Sequence, residues 1–329
     1  MADRSKNTEE TDVDSSQQGP RSGRCAIIGV PNVGKSTLLN TLLGQKLAIT
    51  NRRPQTTRTS LLGVYTSDDP KTQIAFIDTP GMHRPQNALG RNIVESAKAA
   101  LAECDVVVFL TDVGKSITVN TFLSGETGEV LDTAKRTGRP VILVINKIDR
   151  LEKKEMLLPL LQHMHASGHF TAVVPISARR ASNIDGLVRE IRAQLPEGLL
   201  YPDLAEPDVT DKPERFFAAE LVREAAMEET RQEVPYSVAV IIDEFNDGTG
   251  NAKNVTNIKA TIIVGRESHK GIIIGKGGER LKAIGTAARK QMELMFDRKV
   301  FLQLWVKVIE DWTENPSSVR ELLDANDGT

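Results

Sequence analysis

One eight-residue stretch constrains this chain more than any other: Gly29-Val30-Pro31-Asn32-Val33-Gly34-Lys35-Ser36. It follows the apolar run Cys25–Val30 and opens the helix-forming run Lys35–Leu43, the strand-to-helix context in which a Gly-x4-Gly-Lys-Ser sequence becomes a phosphate loop. Glycine at 29 and 34 lets backbone N–H groups turn inward around phosphates, and the helix N-terminus adds its positive dipole end. Lys35 is expected on the β- and γ-phosphates and Ser36 on Mg²⁺, with Pro31, Asn32, Val33 and Thr37 completing the cradle. Gly114-Lys115-Ser116 lacks a glycine five residues earlier and is read as a decoy.

Three further motifs follow in order. Asp78-Thr79-Pro80-Gly81 ends an apolar strand, placing Asp78 to hold Mg²⁺ through water and the Gly81 N–H to sense the γ-phosphate. Asn146-Lys147-Ile148-Asp149 ends another strand. The Asp149 carboxylate matches the N1–H and exocyclic amine of guanine, a donor pair that adenine lacks. Asn146 is expected to tie the loops together, Lys147 to lie over the base, and Ala178 of Ser177-Ala178 to offer its N–H to the guanine carbonyl. The ligand expected from these motifs is GTP or GDP. A metal-binding hydroxyl is sought in Asn51–Ser60, where Thr57 is preferred and Thr56 remains open.

Apolar strands at Cys25–Val30, Ile74–Asp78, Val106–Thr111, Val141–Asn146 and Ala172–Ser177 alternate with helices at Lys35–Leu43, Arg91–Glu103, Thr127–Thr137, Lys154–Ser167 and Ile184–Leu195. The pattern is that of an α/β P-loop GTPase domain with a mostly parallel sheet. The expected division is a disordered polar tail over 1–22, a nucleotide domain over 23–195, a proline-rich linker over 196–212, a second α+β unit over 213–315 and a flexible C-terminus over 316–329. In the second unit a helix at Glu214–Glu229 precedes strands near Tyr236–Asp243 and Ile258–Gly265. A short helix from Ser268, a longer one with the stripe Leu281, Ile284, Ala288, Met292 and Met295, and a last strand through Val300–Val308 follow.

Charge separates the parts of the second unit. Residues 201–254 hold 13 acidic and 5 basic side chains, whereas residues 266–299 hold 9 basic and 4 acidic ones. The basic stretch surrounds Gly275-Lys276-Gly277-Gly278, a GxxG loop between two helices, where the absence of side chains lets a sugar–phosphate backbone approach. Candidate RNA contacts are Lys270, Ile274, Gly275, Lys276, Gly277, Gly278, Arg280, Lys282, Arg289 and Lys290.

Together with Pro-Gln-Thr-Thr-Arg at 54–58, Asp-Thr-Pro-Gly-Met-His at 78–83, Val-Pro-Tyr-Ser-Val at 234–238 and Leu-Trp-Val-Lys-Val at 304–308, these motifs resemble the Era GTPase family over residues 24–312. The resemblance implies a Mg²⁺-dependent GTPase, with a type II KH domain that binds 16S ribosomal RNA near its 3′ end and assists small-subunit assembly. It also allows peripheral association with the inner face of the cell membrane. Met82 stands where many GTPases place a water-orienting glutamine, and a thioether cannot orient water. Similar GTPases can use K⁺ held partly by the phosphate-loop asparagine, here Asn32, whose alternative role is to shape the loop. The catalytic set is therefore Lys35, Thr57, Gly81 and Asn32.

No apolar run reaches the length of a spanning helix, and Cys25 and Cys104 lie in apolar or helical contexts rather than a disulfide pattern, so a cytoplasmic protein is expected; a monomer is expected as well. His163, His165 and His169 invite a metal reading, but Gly168 interrupts their helix and no thiol or paired carboxylate joins them. Two other functions share part of this signature. One is a tRNA-modification GTPase, against which stands the missing C-terminal catalytic cysteine; the other is a passive KH protein, against which stands the full set of nucleotide motifs.

Overall fold

The computed structural model describes residues 19–50, 57–82, 85–114, 123–199, 210–230, 234–248 and 255–327. Thr56, His83, residues 115–122 (with Lys115 and Ser116), residues 1–18 of the expected tail and residues 200–209 of the expected linker lie outside them.

The first unit is a six-stranded sheet in the order β2-β3-β1-β4-β5-β6. Its strands are β1 Arg21–Ile28, β2 Leu61–Asp68, β3 Lys71–Asp78, β4 Val106–Asp112, β5 Val141–Asn146 and β6 Ala172–Pro175. All neighbours run parallel except β2, which pairs antiparallel with β3 from Leu61 opposite Asp78 to Asp68 opposite Lys71. The central strands are buried along almost their whole length because helices cover both faces. Those helices are α1 Lys35–Leu43, α2 Ala88–Ala102, α3 Glu126–Lys135, α4 Leu158–Ala166 and α5 Ile184–Gln194.

The second unit runs α6 Glu214–Glu229, β7 Ala239–Asn246, β8 Val255–Val264, α7 Glu267–Ile274, α8 Glu279–Phe296 and β9 Lys299–Val308. Strand β8 lies between antiparallel β7 and parallel β9. This α-β-β-α-α-β order is a type II KH domain. Helices α6 and α8 bury Phe217, Leu221, Ile284, Ala288 and Met292 against the inner rows of the sheet, including Ile258, Ala260 and Val300.

Three expectations are corrected. Strand β1 begins at Arg21, inside the expected tail: the Ser22 N–H donates to Pro196 O at 3.1 Å and the Gly198 N–H to Pro20 O at 2.9 Å, so residues 20–22 pair with the start of the expected linker. Strand β2 was not anticipated; as the sheet edge it has the half-polar sequence Leu61-Leu62-Gly63-Val64-Tyr65-Thr66-Ser67-Asp68. The C-terminus holds a helix, α9 Pro316–Asp324, rather than a flexible end. Asn315 caps it, its Oδ1 accepting from the Ser317 and Ser318 N–H groups, with proline at the first helical position. Val319 and Leu322 of α9 pack with Ala88, Leu89 and Ile93 of the first unit and with Ala239, Ile263 and Trp312 of the second. Beyond α9, Asn326 accepts from the Ile242 N–H and donates to Val240 O, closing the free edge of β7.

Candidate functional site

A cleft of about 1030 Å³ opens at the carboxyl ends of the first sheet's strands, where the chain leaves β1 for neighbours on either side. Its floor is the Gly29–Ser36 loop. Gly34 adopts φ 106°, and a Cβ there would lie 2.4 Å from Asn146 Nδ2, so only glycine fits. Lys35 bends back across the loop, its ammonium donating to Gly29 O and Val30 O at 3.2 Å each. Burial lowers its pKa to about 8, against the pull of Asp78.

Three oxygens converge beside Lys35. Ser36 Oγ lies 2.8 Å from Asp78 Oδ2 and 2.9 Å from Thr57 Oγ1, and Thr57 Oγ1 lies 3.1 Å from the same carboxylate oxygen. Asp78 is fully buried, which raises its pKa, and its Oδ1 has no hydrogen-bond partner among the described residues. Thr79 serves the fold, donating from Oγ1 to Ile27 O at 2.8 Å. Gly81 lines the cleft, whereas Met82 is buried in the core with Ala26, Ile28 and Phe109.

At the far end Asn146 joins two loops, donating from Nδ2 to Val33 O at 2.8 Å and accepting the Ala178 N–H at 3.0 Å. The Ala178 N–H is thus engaged by Asn146 here. Lys147, in a left-handed conformation, reaches Asn32 O and Asp112 Oδ2, both at 2.5 Å. The Ser177 hydroxyl donates to Asp149 Oδ1 at 2.6 Å, which holds the Asp149 carboxyl below the usual carboxylate range. Asn32 and Thr37 line the same cleft, while Val33 is packed in the core.

Several residues around the cleft escaped sequence reading. Met227 and Glu228, from α6 of the second unit, complete its wall, as do Arg150 and Arg179. Glu224 of α6 accepts from the Thr50 N–H at 2.9 Å and pairs with Lys46 at 2.7 Å. Arg58, next to Thr57, is buried in the second unit, donating to Val238 O at 2.6 Å with its guanidinium 5.8 Å from the centre of the Trp312 ring. No local pattern announces such contacts, since each partner lies more than 170 positions away.

The GxxG loop joins α7 to α8. Gly275, Gly277 and Gly278 all have positive φ, and a Cβ on Gly277 would meet nothing within 4 Å, leaving that side open. Arg280 folds back to Ile272 O and braces the loop. Lys270, Ile274 and Lys276 belong to α7 and the loop itself. Lys282 and Lys290 line a second cleft between α8, α6 and Lys46, and Arg289 pairs with Glu293 at 3.8 Å farther along α8. The basic residues are therefore spread along α8 rather than gathered at the loop. Among the described residues no cluster of histidine, cysteine or acidic side chains forms a further metal site, and no helix is long and apolar enough to cross a membrane.

A phosphate loop, the Asn-Lys-x-Asp motif at the far end of the same cleft and a KH unit on one chain define a P-loop GTPase with an appended KH domain. Residues 24–147 match the family described as 50S ribosome-binding GTPase, and residues 233–313 match the KH domain. The chain is 44% identical over 301 residues to GTPase Era of Xylella fastidiosa (strain M12), covering 91% of this chain and 96% of that protein, and 45% identical over 303 residues to GTPase Era of Pseudomonas entomophila (strain L48). It belongs to the Era GTPase family and is a GTPase. Two solved structures are similar, each at 45% identity, TM-score 0.85, and coverage of 92% of this chain and 98% of the other. One is Era in complex with MgGDPNP and nucleotides 1506–1542 of 16S ribosomal RNA; the other is an Aquifex aeolicus Era variant bound to GDP.AlF4-.

Proposed function

We propose that this GTPase is a nucleotide-dependent switch that binds 16S ribosomal RNA near its 3′ end and assists assembly and maturation of the small ribosomal subunit. The observation that carries the RNA reading is the GxxG loop, whose Gly277 side is open and whose Lys276 stands beside it. Its support from kinship is the similar Era structure with that RNA.

In the nucleotide cleft, the phosphate-loop backbone and Lys35 bind the β- and γ-phosphates, and Asp149 selects guanine. Ser36, Thr57 and Asp78 fit Mg²⁺: their oxygens converge, and the buried Asp78 Oδ1, without a hydrogen-bond partner among the described residues, is an acceptor suited to a water on a hard cation. When bound, the ion neutralises phosphate charge. Gly81 and Thr57 face the phosphate end and order around it. With Met82 buried in the core, no side chain at that position orients the attacking water, and intrinsic turnover is slow. The chain works as a cytoplasmic monomer with peripheral visits to the inner membrane face; its two buried free cysteines suit the reducing cytoplasm.

Asn32 is exposed, has φ 66° and lines the cleft, which suits it to hold K⁺ beside the phosphates. GTP turnover is expected to be severalfold faster in potassium than in sodium at equal ionic strength, with Asn32→Ala erasing the difference. Equal rates for the wild type in both salts would leave Asn32 with only its role in loop shape.

The RNA reading is tested by Gly277→Asp and Lys276→Asp, each placing a carboxylate where an RNA backbone must pass. Affinity for a fragment spanning nucleotides 1506–1542 is expected to fall about tenfold to hundredfold at fixed salt, with GTP affinity near wild type. Unchanged filter binding by both variants would move the RNA site away from this loop.

A further inference from the structure

The outer row of β9 reads Lys299, Phe301, Gln303, Trp305, Lys307, and all five side chains are exposed. Phe301 is 53% and Trp305 47% exposed, among the largest apolar side chains left in solvent. The inner row of the same strand, Val300 through Val308, packs on the KH core, so solvation of the outer row is not a consequence of a loose sheet. One end of this outer face is apolar, at Ala239 and Ile263, and there α9 and α2 cover it. The rest stays open: the β9 row with its alternating aromatic and basic residues and, beside it, the polar Glu244–Lys259 and Asp243–Thr261 pairs.

We propose that this row is a second RNA-binding surface, on which Phe301 and Trp305 each stack a base while Lys299 and Lys307 meet the flanking phosphates. The proposal rests on the RNA reading above and extends it beyond the GxxG groove. A GxxG loop clamps about four nucleotides, whereas the RNA held by the similar Era structure spans nucleotides 1506–1542. RNA that long must run onto another surface. Strand β9 is the sheet edge next to the loop: a Cβ on Gly285, in the second turn of α8, would lie 3.3 Å from Leu304 Cδ1, so the GxxG end of α8 stands over the Leu304–Val308 half of β9. RNA leaving the groove needs only to turn around this edge to reach Trp305. Four residues of strand separate the two rings by about 13 Å, room for each to take its own base. Aromatic platforms bracketed by cations are how sequence-tolerant single-stranded sites are built. Lysine and glutamine interrupting every aromatic make a poor centre for a protein interface, which is depleted in lysine.

The test compares the 1506–1542 fragment with overlapping ten-nucleotide pieces of it. Phe301→Ala/Trp305→Ala is expected to weaken the full fragment at least tenfold and leave the best-binding short piece unaffected. Trp305→Phe, which keeps a ring, is expected to restore most of the loss. The chain has two tryptophans and Trp312 is buried, so RNA should quench wild-type emission and leave that of Trp305→Phe unchanged. Gly277→Asp separates the two readings. If it abolishes binding while the double variant keeps wild-type affinity and Trp305 is not quenched, the second surface is overturned and the first stands. Binding of anionic vesicles or of a protein through this row, with RNA affinity unchanged, overturns it equally. If Gly277→Asp itself leaves all binding intact, the groove reading fails, and loss in the double variant then still supports this row.

Discussion

Asp149→Asn is expected to weaken GTP binding by about 10²–10⁴-fold and to make xanthosine triphosphate the better ligand. The wild-type carboxylate is held ionised by the Ser177 hydroxyl at 2.6 Å and presents acceptors to a base edge that donates twice. Two hydrogen bonds to a charged group contribute roughly 1.5–3 kcal/mol each. Asparagine turns one acceptor into a donor, which opposes the guanine amine and matches the carbonyl that xanthine carries in its place. A nucleotide titration with both triphosphates checks this. Undiminished GTP affinity with no gain for the xanthine nucleotide would remove Asp149 from the base site.

Lys35→Ala is expected to lower GTP turnover about 10²–10³-fold, the usual loss when a preorganised donor to developing charge is removed. In the structure the ammonium rests on Gly29 O and Val30 O, and burial holds its pKa near 8. Phosphate charge must push that value back up. Between about pH 8 and the ordinary lysine range near 10.4, the free protein has therefore lost a proton that the complex retains. Nucleotide binding takes up a proton in this window and weakens as pH rises through it. Titration calorimetry at pH 9 in two buffers of unlike ionisation heat measures the uptake, and Lys35→Ala should remove it. Proton uptake persisting in the variant would place the titrating group elsewhere.

Legibility in the sequence followed the range of the interactions. The phosphate loop could be read because its geometry demands glycine within a few residues of lysine, and the tight φ of Gly34 against Asn146 shows why. The buried strands could be read because helices on both faces require unbroken apolar runs. Strand β2 was missed because an edge strand of mixed polarity lacks such a run. Helix α9 was missed because its polar composition outweighed a real signal: Asn315 followed by Pro316, then Val319, Leu322 and Leu323 on one face. The KH wall of the nucleotide cleft could not be read at all. Met227, Glu228 and the Arg58 contact exist only because two independently patterned units dock.

That docking ties two adjacent residues to different units. Thr57 faces Ser36 and Asp78, while Arg58 is lodged against Val238 and Trp312; Thr50, before them, is held by Glu224 of α6. A rotation of the KH unit large enough to free Arg58 drags on the very next residue, so the segment behaves as a short lever with its fulcrum at one peptide bond. Levers of this kind work in both directions. Whatever factor a nucleotide imposes on the equilibrium between docked and released KH postures, an RNA that prefers one posture must return to nucleotide affinity through the same coupling free energy.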